Sequence, residues 1–94
     1  MGLGRDYSNI GIVLRLKDKN QEALHSHNKA LKIHEELQDR AGMATDYYNI
    51  SAVLSKTNKD EALKSLCNAL AIIQEFEREN NYHHPFMEKI NNRI

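Results

Sequence analysis

The chain has 94 residues, 40% of them hydrophobic and 28% charged, with 13 basic side chains against 13 acidic ones. That length holds one small domain, and a formal net charge of zero leaves no global field to gather nucleic acid or an anionic membrane. A single cysteine, Cys67, excludes a disulfide within the chain, and no apolar run approaches the ~20 residues of a membrane helix.

The opening segment, Met1 to Asp6, has no apolar signal region, and Asp6 stands where N-myristoylation needs Ser or Thr. These features predict a soluble, cytoplasmic protein. The first predicted helix covers about 3–16, where Leu3, Tyr7, Ile10 and Leu14 recur at helical spacing and form one apolar stripe. At 100° per residue, Arg5, Ser8, Asn9, Ile12 and Leu16 are expected to point away from that stripe. A second helix over about 21–37 carries Ala23, His27, Ala30 and Leu31 on one face, with Asn20 as its expected N-cap and Glu22 in its first turn.

The third helix, about 40–56 with Asp39 as its cap, repeats the first. Tyr7, Asn9, Ile10, Val13 and Leu14 return as Tyr47, Asn49, Ile50, Val53 and Leu54, a shift of 40, and Gly2 and Asp6 return as Gly42 and Asp46. Its outward row is then Thr45, Tyr48, Asn49, Ala52 and Lys56. The fourth helix, about 60–79, repeats the second: Glu22-Ala23-Leu24 returns as Glu61-Ala62-Leu63, and Ala30-Leu31 as Ala69-Leu70, a shift of 39. One residue has been lost in the turn around Lys56 to Asp60, and Asp60 is the expected cap. A short fifth helix is expected over about 84–93, with Pro85 in its first turn. Phe86 follows Ala69 by seventeen residues, as Tyr47 follows Ala30, so Phe86, Met87 and Ile90 are expected to cap the second unit. Small residues (Gly11, Ala23, Ala30, then Ser51, Ala62, Ala69) sit where helix axes must approach closely.

An aromatic residue, Asn-Ile-Gly, Leu, Glu-Ala-Leu and Ala-Leu in this order resembles the tetratricopeptide repeat, in its longer variant of about forty residues linked by a segment such as Gln38-Asp39-Arg40-Ala41-Gly42. The sequence departs from that pattern at Ser51, usually Gly, at His27, usually aromatic, and in lacking the helix-ending proline. The resemblance implies an all-α fold: two helix-turn-helix repeats, about 3–38 and 40–79, plus the C-terminal capping helix, in one short right-handed solenoid spanning 1–94. It implies a protein- or peptide-binding adaptor or scaffold with no chemistry of its own and no cofactor. The concave groove would be lined by Arg5, Ser8, Asn9, Ile12, Leu16, Thr45, Tyr48, Asn49, Ala52 and Lys56. Asn9 and Asn49 match the asparagine that holds a bound peptide's backbone in the family, and a carboxamide offers both donor and acceptor for that task.

Other residue types give weaker signals. His25 and His27 diverge on the helix, while His27 and His34 share a face but stand two turns apart, too far to chelate one ion alone. His34-Glu35 opens like a zinc-protease motif, yet Gln38 occupies the second ligand position. His27 therefore reads as a packed core histidine and Cys67 as a buried thiol. Asn49-Ile50-Ser51 is a glycosylation sequon placed mid-helix in a chain without a secretion signal. The expected partner is a protein or peptide, with neither nucleic acid nor membrane. The alternative is a structural or self-associating unit, since two repeats leave the first helix's edge uncovered; a homodimer would result.

Overall fold

The computed structural model describes residues 2–79, which form four helices: α1 (Leu3–Leu16), α2 (Asn20–Glu36), α3 (Arg40–Leu54) and α4 (Lys59–Glu79). Among the described residues there is no strand. The expected fifth helix over 84–93 lies outside the described residues. Consecutive helices pack as antiparallel neighbours, and α1 also touches α3, so the two hairpins stack in sequence order.

The core is built from small side chains. Ala23 and Ala30 are fully buried, Ala69 nearly so, and Gly4, Ser8, Gly11, Ser26, Ala44, Ser51 and Ser65 join them. Such residues let helix backbones approach until larger groups from the neighbour lie directly over them. A Cβ added to Gly11 would stand 2.6 Å from the His27 ring, and one on Gly42 would stand 2.6 Å from the His34 ring. Even alanine is thus too large there. Ser26 Oγ ties the first hairpin by donating to the Tyr7 carbonyl at 3.0 Å.

This packing turns α1 differently from the expected stripe. Leu3 and Ile10 are 59% and 50% exposed, whereas Gly4, Ser8 and Gly11 face inward, because the rings of α2 demand the small side of α1. Apolar periodicity located the helix, but size complementarity set its rotation. Leu37, just past the end of α2, is also exposed.

The turns explain where the helices stop. At the end of α1, Lys19 N–H bonds Leu14 C=O and Asp18 N–H bonds Arg15 C=O, both at 2.9 Å, with Asp18 at φ 63°. At the end of α2, Asp39 N–H bonds His34 C=O and Gln38 N–H bonds Glu35 C=O, with Gln38 at φ 56°. Both are Schellman closures, made here without glycine. Asp39 caps α3 as expected, its Oδ1 accepting from Gly42 N–H at 2.9 Å. The other two expected caps are displaced. Asn20 is already the first residue of α2, which starts without a side-chain cap, and α4 is capped by Asn58, whose Oδ1 accepts from Glu61 N–H at 3.2 Å, rather than by Asp60.

Candidate functional site

The rotation of α1 and α3 decides what the ten predicted groove residues do. Arg5, Asn9 and Leu16 on α1 are exposed and Ile12 is half-buried; on the second unit Thr45, Tyr48 and Lys56 are exposed and Asn49 and Ala52 half-buried. Ser8 is buried, contrary to the expectation that it points outward. It lies in the seam between α1 and α3, where the Asn49 amide donates to its hydroxyl at 3.2 Å. That bond ties α1 to α3 across the seam. Thr45 Oγ1 donates to its own helix, to the Ala41 carbonyl, which is an ordinary resting arrangement for a helical threonine. Lys56 lies in the turn beyond α3.

Sequence reasoning missed the polar junction under this face. Asp46, fully buried on α3, meets His34 Nδ1 of α2 at 2.5 Å, and the second Asp46 oxygen has no partner. Burial pushes the Asp46 carboxyl above the usual carboxylate range, opposed by the hydrogen bond and charge of His34. His27 is also fully buried, as expected, and neither ring nitrogen has a partner. Burial, aided by the charge of Arg15, holds its imidazole below the ordinary value. A signal for the pair was present: Asp46 belongs to the repeated set, and His34 shares the face of α2 that carries His27.

A trough of about 540 Å³ runs along the outer flank of the second hairpin. Ala41, Ala44, Thr45 and Tyr48 of α3 form one wall, and Leu66, Ala69, Leu70 and Ile73 of α4 form the other. Tyr48 and Leu66 also border a second hollow of about 430 Å³ that continues toward Lys59. Among the large apolar side chains here, Tyr48, Leu63, Leu70 and Ile73 are about half exposed or more.

Among the described residues, no group of three His, Cys, Asp or Glu side chains is placed to hold a metal ion. Cys67 is exposed rather than buried, because it falls on the outer side of α4 beside the half-buried Leu66. No helix among the described residues is long and apolar enough to cross a membrane.

Stacked helical hairpins with small residues at the crossings define a helical-repeat protein. The tetratricopeptide repeat profile matches residues 7–75, and the chain belongs to that family, whose repeats are generally protein-interaction modules. No curated protein and no solved structure matches it.

Proposed function

We propose that the chain is a binding module for an extended segment of another protein, acting as a cytoplasmic scaffold without chemistry of its own. The observation that supports this reading is the Asn49–Ser8 hydrogen bond at 3.2 Å, which ties α1 to α3, the helices that carry the two outward rows. Asn9 offers a donor and an acceptor to a peptide backbone whatever the side chains attached. Ile12, Leu16 and Tyr48 add apolar contact, with Leu16 and Tyr48 72% and 60% exposed. Arg5 and Lys56 bring positive charge to the two ends of the row, which favours a segment carrying carboxylates.

The test is co-purification of bound proteins with the wild-type chain and with an Asn9→Ala/Tyr48→Ala variant, followed by affinity measurement on any protein captured. The double variant should bind at least tenfold more weakly, because a lost backbone clamp and a lost aromatic contact each remove about 1 kcal/mol or more. Its helical circular dichroism and melting should stay near wild type, both side chains being surface groups. Equal affinity in the two proteins would refute the assignment of this face.

Self-association is the second reading. It is favoured by one specific observation: Leu3, Ile10 and Val13 form an exposed apolar edge on α1. Sedimentation over a concentration series separates the two readings.

A further inference from the structure

The helices are not held equally. α3 buries Ala44, Ile50 and Val53, and it is tied to its neighbours by the His34–Asp46 contact and the Arg40–Glu75 ion pair. α1 buries only Gly4, Ser8 and Gly11. Its large apolar side chains lie outside or at the margin: Leu3, Ile10, Val13 and Leu16 are exposed, and Tyr7, Ile12 and Leu14 are half-buried. Its side-chain ties are Ser26 Oγ donating to the Tyr7 carbonyl, the Asn49 amide donating to Ser8 Oγ, and the Lys29 ammonium 5.4 Å from the Tyr7 ring centre. A helix that buries so little apolar surface belongs to the low-stability end of a structure, where elements open locally.

Beneath this helix lies a histidine. His27 is fully buried, its ring 2.6 Å from where a Cβ on Gly11 would stand, and neither ring nitrogen has a hydrogen-bond partner. The charged groups around the ring do not favour a second proton. Arg15 of α1 is itself cationic, His34 stands two turns on along α2, and Asp46 of α3 is engaged by His34. An imidazolium in that place would be a buried charge without an acceptor. Gly11 is the wall against the ring, so hydrating that charge requires α1 to move.

We infer that protonation of His27 undocks α1, so that mild acid opens the first hairpin while the α2–α3 junction and the second hairpin stay folded. The junction's own titratable pair has the opposite sign. Burial holds the Asp46 carboxyl above its usual range, so acid protonates it more readily in the folded chain and strengthens the α2–α3 contact. Burial and the charge of Arg15 hold the His27 imidazole below 6.5, so the docking of α1 is complete above that value and weakens as the pH drops through the window below it. α1 also covers His34, since Gly4 lies against its Nε2. Its departure wets an imidazole that two α3-side carboxylates face, Asp46 at 2.5 Å and Asp39 at 3.9 Å. α4 has Leu66 and Ile73 where α2 has His27 and His34, so the second hairpin carries no counterpart of the device. Asn9 and Leu16 leave with α1, and acid thereby dismantles the binding face, a consequence that rests on the groove proposal.

The undocking itself is read without any binding partner, so its outcome is separate from that of the groove proposal. The measurement is segment-resolved amide exchange of the full chain, corrected for the intrinsic pH dependence of exchange. On going from about pH 7 to about pH 5, protection of the α1 amides should fall roughly tenfold per pH unit below 6.5 until the folded value is reached, while α3 and α4 keep theirs. His27→Leu installs the residue of the second repeat and should keep α1 protected over the same range. Should leucine not fit beneath Gly11, His27→Gln, which takes no proton, decides instead. Full protection of α1 in acid, a loss spread evenly over the four helices, or an α1 loss that persists in the neutral variant would each overturn the assignment.

Discussion

The two flanks of this small array differ in chemistry more than in shape. Where α3 covers the first hairpin, the contact carries a buried acid–imidazole pair, an amide–hydroxyl bond and an unpaired imidazole; on the second hairpin, which no other described helix covers, the matching residues are a tyrosine, a leucine and an isoleucine. The polar junction contributes selectivity rather than raw stability. A buried ion pair seldom outweighs apolar packing, but it penalises any neighbour that lacks the complementary group. A repeat unit can thereby distinguish its proper successor from other amphipathic helices.

That contrast predicts the largest mutational effect. His34→Ala should cost about 3–5 kcal/mol, since it leaves fully buried Asp46 without its donor. Converting both partners to apolar residues, with His34→Ile and Asp46→Phe, should be far milder, since no buried polar group is then left unpaired. Denaturant titration of the three proteins measures the difference directly. A single variant as stable as wild type would show that the pair does not hold the junction.

The helices themselves were legible in the sequence to within a residue or two, because the repeat shift states where each unit starts and apolar periodicity states what is helical. The rotation of α1 was not. Leu3 and Ile10 look like core residues by hydropathy, yet they are exposed on α1, while their counterparts on α3, Met43 and Ile50, are half-buried and buried one repeat later. Hydropathy alone does not distinguish a face buried within a hairpin from one buried between repeats. The glycines did carry the answer, since only a size argument explains Gly11 beneath His27. Cys67 failed for a similar reason: a small apolar residue on a long helix that is packed on one flank has an outer side to occupy.

A smaller effect comes from His27. The second repeat has Leu66 at this place, and His27→Leu removes two buried ring nitrogens that no group satisfies. The substitution should add about 1–3 kcal/mol at neutral pH. It should also change the pH profile. With the folded imidazole held below its ordinary value of 6.5, the unfolded chain binds the proton first on acidification. The stability of the wild type is then full above pH 6.5 and falls as the pH drops through the window below it. Asp46 works in the opposite sense, its raised value favouring the folded state as acid protonates the buried carboxyl. Thermal melts from neutral to mildly acidic pH should therefore show a slope in the wild type that His27→Leu removes. An unchanged slope would assign the acid sensitivity elsewhere.

The smallest effect distinguishes the turns. Asp18 and Gln38 hold left-handed backbone at φ 63° and 56°, whereas among the described residues the turn after α3 contains no positive φ. The residue deleted between Leu54 and Glu61 accounts for this, since the shorter turn closes through Thr57 N–H and Asn58 N–H on Leu54 C=O without a left-handed step. A side chain in left-handed geometry costs roughly 1–2 kcal/mol, partly offset in a glycine variant by the greater freedom of its unfolded chain. Gln38→Gly should then gain about 0.5–1 kcal/mol. Asp18→Gly should gain less, because aspartate tolerates that conformation better than glutamine does. Thr57→Gly should lose stability, having only the entropic cost and no strain to relieve. Melting temperatures of the three variants, measured side by side, test the ordering. A gain for Thr57→Gly equal to that for Gln38→Gly would show that chain flexibility, rather than the sign of φ, governs these turns.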